Sequence, residues 1–188
     1  MMDMAASRRH ALLGLLSLAA LPGCAPKYAR FRAEPGPDWS YLVASTAIER
    51  PSPLRIVTCS LGGSMVGSPD DRFSLKTDIA PISRQKLDID TPELAMSVGV
   101  QPLPPGRYVF NEIAFFANAT QSWQLLRQTD PLVVDLPPRS VYYFGAVTAT
   151  RELRIRVTRE RERDMKLALG QRPTLAQIPL VERTRAIT

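Results

Sequence analysis

From Trp39 onward, apolar residues in this sequence recur at every second position or in short runs that prolines cut off. That rhythm points to packed β-strands. Leu94, Met96, Val98 and Val100 alternate with Ala95, Ser97 and Gly99. Leu132, Val134 and Leu136 alternate until Pro137-Pro138 ends the run, and Leu153, Ile155 and Val157 alternate with Arg154 and Arg156. Each pattern gives a strand with one buried and one wet face. Tyr41–Ile48 and Leu54–Leu61 are denser in apolar and β-branched residues, with Pro51 and Pro53 between them. Arg107–Phe116 and Val141–Thr150 are largely apolar on both faces, which belongs to the middle of a sheet. Ser122–Arg127 is placed to pair with the first of these.

Turns are expected between the runs. Leu61-Gly62-Gly63-Ser64 reads as a break, Asp70-Asp71 after Ser68-Pro69 as a turn, and Pro104-Pro105-Gly106 as another. One helix is predicted at about Glu160–Leu169, where Met165 and Leu169 share a face. Gly170 is placed to end it, and Pro173 forbids resumption. The fold class expected is mainly β: an antiparallel β-sandwich of roughly eight strands with one short C-terminal helix. The sequence shows no internal repeat and no domain break.

The beginning of the chain follows other rules. Met1–Arg9 is short, polar and basic, and Ala11–Leu21 is an almost purely apolar run of eleven residues. That length suits the apolar centre of a signal peptide and falls short of the ~20 residues that span a bilayer as a helix. Leu21-Pro22-Gly23-Cys24 follows at once, and this segment resembles the lipobox of bacterial lipoproteins, with Leu21, the small Gly23 and Cys24 in order. Pro22 stands where that family usually has Ala or Ser. The resemblance implies cleavage before Cys24 and acylation of its thiol. Each buried acyl methylene contributes ~0.8 kcal/mol, so stable anchoring takes more than one chain. The plainer alternatives are an ordinary cleaved signal peptide with a coincidental cysteine, or an uncleaved anchor. Ser7-Arg8-Arg9 partly matches a twin-arginine leader, but two arginines are commonplace there and Sec export is favoured. Ala25 after the cysteine implies, by family analogy, an outer membrane facing the periplasm where the cell has one.

Three segments result: a lipoprotein signal peptide over 1–23, a lipidated tether over 24–38, and a β-sandwich domain with a basic C-terminal helix and tail over 39–188. Ala25–Asp38 mixes Pro, Gly and charge without a period, and its fourteen residues reach ~46 Å at ~3.3 Å each. Pro104–Tyr108 and Val141–Gly145 give the domain a likeness to uncharacterised exported β-sandwich lipoproteins of the prealbumin or immunoglobulin-like kind. That likeness implies a fold and no chemistry.

Charge is unevenly spread. The net +6 of the chain divides into +1 in the leader, zero over 24–150 and +5 over 151–188. Arg154, Arg156, Arg159, Arg161 and Arg163 form the one charge feature above background, interleaved with Glu160 and Glu162. One reading is contact with anionic lipid or polysaccharide at the envelope surface. The favoured reading is a self-paired, solvated edge that protects a terminal strand. The export signal and the interleaved acids argue against nucleic acid.

Catalytic constellations are scarce. The only histidine, His10, lies in the leader, which removes histidine-assisted nucleophiles and histidine metal sites from the mature domain. Cys59 has no second thiol beside it and reads as a buried small hydrophobe. Asp88, Asp90 and Glu93 suggest a cation site or an acid–base pair, but no loop collects the six to eight oxygens calcium needs, and a solvated face is the simpler reading. Asn118-Ala119-Thr120 is a chance sequon in a bacterial chain. Trp39, Tyr41, Trp123, Tyr142, Tyr143 and Phe144 would build either a sugar platform or, more commonly, a core. The expectation is a non-enzymatic envelope lipoprotein with no cofactor, held to the membrane by acyl chains and meeting an envelope protein partner. The alternative is a glycan- or lipid-binding module using exposed aromatics and the arginine-rich stretch.

Overall fold

The computed structural model describes residues 35–51, 55–117, 122–125 and 132–182, so the leader, Cys24 and residues 25–34 of the expected tether lie outside the described part. Two sheets pack face to face. The larger runs in the order β10 (Ile155–Thr158), β9 (Val141–Ala149), β1 (Ser40–Glu49), β5 (Leu94–Leu103), β4 (Ile89–Asp90), with β11 (Leu180–Glu182) also beside β9. The smaller runs β3 (Ser68–Asp78), β2 (Ile56–Met65), β6 (Gly106–Ala117), β7 (Ser122–Leu125), with β8 (Leu132–Leu136) also on β6. This is the expected mainly-β sandwich with one α-helix, α1 (Arg161–Gln171). Eleven strands are described where roughly eight were read, the additions being β3, β4 and β11. β9 pairs in parallel with β1 and β11, while the other described pairings are antiparallel.

Both strands expected at sheet centres are there. All nine residues of β9 are buried, and β6 is flanked by β2 on one side and by β7 and β8 on the other. β6 owes its two apolar faces to a bulge. Gly62 of β2 faces Glu112 and Gly63 faces Phe110, so Asn111 is an extra residue. It switches the inward parity from Tyr108 and Phe110 to Ile113, Phe115 and Ala117. β9 has a similar shift: Val43 pairs with Tyr143 and Ala44 with Gly145, leaving Phe144 over. Gly145 has φ +125°, and a Cβ there would lie 2.7 Å from the carbonyl oxygen of Thr158 on β10. Glycine is what lets β10 come that close.

Three local expectations are corrected. Gly62-Gly63 is no turn; both residues sit inside β2, paired with β3 and β6. A Cβ on Gly63 would lie 2.4 Å from the Val109 carbonyl oxygen and 2.8 Å from the Phe73 ring, which lies in the space a side chain would fill. The chain instead reverses at Val66-Gly67, where Gly67 takes φ +82°. Asp70 and Asp71 accordingly belong to strand β3. The helix also runs through Gly170 to Gln171, with the Arg172 N–H donating to the Ala168 carbonyl, and Pro173 opens a 3₁₀ turn over Pro173–Gln177. Proline at the start of a helical turn loses no hydrogen bond. Replacing Gly63 by alanine is therefore expected to cost about 2–3 kcal/mol through overpacking. Urea denaturation checks this, and an unchanged midpoint would contradict it.

The main core lies between the sheets, where Leu42, Ile48, Leu61, Phe110, Phe115 and Phe144 are fully enclosed. A second core lies on the outer face of the larger sheet, where α1 and the 3₁₀ turn set Ala168 and Leu175 over Val43, Met96, Val141 and Tyr143. The molecule thus has three layers at this place: helix, sheet, sheet. Polar side chains tie the two sheets at one edge. Thr77 of β3 hydrogen-bonds Thr46 of β1 and accepts the Ser97 N–H of β5 at 3.0 Å. Pro104-Pro105 forms the corner that carries the chain from β5 in one sheet to β6 in the other. The Tyr108 hydroxyl donates back across it to the Pro104 carbonyl at 2.8 Å, like a tyrosine corner.

Candidate functional site

The outer face of the larger sheet is covered at one end by α1 and open at the other. The bulge in β9 resets the alternation so that Tyr143, Ala146 and Thr148 all face outward, beside Ser45, Ala47 and Glu49 of β1. Where α1 begins, the covering layer stops and leaves a cleft of about 440 Å³. Its floor is the small, buried pair Ala47 and Ala146 with Thr148, and the charged side chains of Glu49, Arg156, Glu160 and Arg163 line it around them.

Beneath the lip of this cleft lies Asp164, a fully buried carboxylate. Its Oδ2 accepts hydrogen bonds from the Ser45 hydroxyl at 2.8 Å and the Tyr143 hydroxyl at 2.9 Å. Its Oδ1 accepts from Arg163 Nε at 2.9 Å and Nη2 at 2.8 Å. Tyr143 Oη in turn accepts the Glu160 N–H at 3.0 Å, tying the residue before the helix to the sheet. Burial, followed by the Asp164 charge, pushes the Tyr143 phenol well above its ordinary 10.0. Desolvating a carboxylate costs several kcal/mol unless its lone pairs are filled, and here both oxygens are. The arrangement fixes the start of α1 on the sheet and holds the Arg163 guanidinium in one orientation.

The five arginines singled out in the sequence do not form one face. Arg156 is ion-paired with Glu49, and Arg163 turns inward to Asp164. Arg154, Arg159 and Arg161 are exposed. Arg172, just past the helix, lies over the Tyr41 ring at 4.9 Å. The acidic residues of the 88–93 stretch also part company. Asp88 accepts the Val98 N–H at 2.7 Å and the Gln171 amide, and Asp90 pairs with Arg50 at 2.7 Å. Of the aromatics, Tyr142 and Phe144 lie in the main core and Tyr143 lies under the helix, while Trp39 and Tyr41 are half-buried. The side chain of Trp123 is outside the described part.

Cys59 is fully buried on β2, its Sγ 3.6 Å from the Val147 carbonyl oxygen. Burial pushes the thiol up from its ordinary 9.0 to about 12. With so little thiolate, Cys59 is expected to resist alkylation at pH 8 until the chain is denatured. Peptide mapping after iodoacetamide treatment checks this, and native labelling would place the thiol at the surface. Among the described residues no group of three His, Cys, Asp or Glu is arranged to hold a metal ion, and no helix is long and apolar enough to cross a membrane. Comparison with known protein families, curated proteins and solved structures finds no match to this chain.

Proposed function

We propose that this chain is a non-enzymatic cell-envelope lipoprotein, exported, cut before Cys24, and held at a membrane by acyl chains while its sandwich meets a protein partner. The observation that carries the reading is the order of basic start, eleven-residue apolar run, Gly23 and Cys24. Ten residues separate Cys24 from Pro35, the first described residue, and they reach ~33 Å when extended, room enough for a folded domain to stand off the headgroups. The enclosure of Tyr142, Tyr143 and Phe144 supports a protein partner over a glycan platform, because those rings are taken up by the two cores. In this reading the arginines of 154–163 stabilise the fold edge more than they grip anionic lipid, since Arg156 and Arg163 already have carboxylate partners.

Cys24→Ser tests the anchor. The variant is expected to stay at precursor size, to lose incorporation of labelled palmitate, and to move from the detergent phase to the aqueous phase on partitioning. An unchanged pattern in all three removes the anchor and the envelope location inferred from it.

A further inference from the structure

We propose that the cleft lined by Arg163 and Glu160 is a binding site for a small zwitterion, a short peptide with free amino and carboxyl ends and small side chains. The proposal rests on the groups left without partners there and does not depend on how the chain is anchored. Thr148 is about nine-tenths buried and lines the cleft, yet its hydroxyl has no hydrogen-bond partner among the described residues. Buried hydroxyls are normally paired, so an idle one at the floor of a cleft calls for a ligand or solvent atom. Arg163 gives Nε and Nη2 to Asp164 and Ser45 and lines the cleft, and the donors of Nη1 have no partner among the described residues. Because the buried carboxylate holds the guanidinium from behind, those donors are oriented before any ligand arrives.

In the same cleft, the Glu160 side chain has no ion-pair or hydrogen-bond partner among the described residues; only its backbone is engaged, its N–H with Tyr143 and its carbonyl with the Asp164 N–H. Glu49 and Arg156 satisfy each other and contribute no net charge. What remains open is one cationic donor set, one carboxylate and a hydroxyl, over a floor of Ala47 and Ala146. A ligand carboxylate suits Arg163 and Thr148, and its ammonium suits Glu160. A plain dianion suits the site less well, since Glu160 would repel it. The cleft, at about 440 Å³, is within the range of small-molecule sites, and the two alanines give it a small, apolar floor that suits methyl side chains. Asp164 and Ser45 act here as positioning residues, through Arg163.

The experiment titrates L-alanyl-L-alanine into the full chain in detergent and follows backbone amide shifts. Saturable shifts at Ala146, Thr148, Thr158 and Arg163 are expected, with affinity at least tenfold weaker for the N-acetylated and for the C-amidated dipeptide. Thr148→Val, which leaves the fold's ion pairs intact, and Arg163→Gln are each expected to weaken binding about tenfold. Thermal melts verify that both variants are folded. Absent shifts, equal binding of the capped dipeptides, equal binding of inorganic phosphate, or unchanged affinity in a folded Thr148→Val variant would each overturn the proposal.

Discussion

Phe110→Ala is expected to remove about 4 kcal/mol of folding stability. For a domain of this size that lowers the thermal midpoint by about 12 °C. The ring is fully buried and stands where the two sheets meet, with Phe144 at 4.8 Å and Tyr142 at 6.2 Å from β9 and Phe73 at 5.4 Å from β3. Truncation leaves a cavity that those rings cannot close, because Phe73 is already committed to the space over Gly63. Phe110→Leu keeps most of the volume and is expected to cost only about 1.5 kcal/mol. Denaturant unfolding of both variants measures the difference. A loss below about 1 kcal/mol for the alanine variant would mean that the ring does not bridge the sheets.

The same neighbourhood shows where a sequence can and cannot be read. The inward alternation of Phe73, Leu75 and Thr77 was present in the sequence, but Pro69, Asp70, Asp71 and Arg72 made the start of β3 look like a turn. Those residues are what an edge strand uses to repel other strands, and β3 is an edge. Gly62-Gly63 misled for a different reason. Gly63 is needed because a neighbouring strand's phenylalanine crosses above it, and that neighbour is fixed only by pairing. The bulge at Asn111 left a trace, in that the inward series Tyr108 and Phe110 slips by one to Ile113, Phe115 and Ala117, but the slip resembles a strand apolar on both faces. The long central strands were legible throughout, since burial on both sides demands apolar residues whatever the register.

The candidate site was nearly invisible by comparison. Asp164 sits in the run Arg161-Glu162-Arg163-Asp164, where one more charge reads as solvated surface. The only signal available was its spacing of four from Ala168, which puts both on one helix face. That this face meets Ser45 and Tyr143 follows from β1 and β9 lying side by side in parallel, a pairing between strands a hundred residues apart. The bulge at Phe144 adds a second long-range condition, because it decides that Ala146 and Thr148 face the cleft and not the core.

Asp164→Ala is expected to be nearly as damaging as loss of the Phe110 ring, at about 3 kcal/mol, although it removes only a carboxylate. The cost comes from what is left behind. The Ser45 hydroxyl loses its acceptor in a dry place, and the Tyr143 hydroxyl keeps the Glu160 N–H but has nowhere to donate. Arg163, about one-third exposed, turns toward water and adds less to the loss than a buried cation would. Adding Tyr143→Phe to Asp164→Ala should then cost less than it does in the wild-type chain, and the cycle measures that coupling. The tyrosine also reports on pH. Its phenol stays protonated in the fold when an unfolded tyrosine would ionise, so it favours the native state fully below pH 10.0 and progressively loses that effect as pH rises beyond it. Burial, the largest cause, persists in Asp164→Ala, whereas the repulsion from the carboxylate disappears. The phenol of the variant should therefore titrate at lower pH than the wild type's while remaining above 10.0 in an ultraviolet titration. Equal titration in both chains would mean that Asp164 does not face Tyr143, and the anchoring of α1 to the sheet would need another explanation.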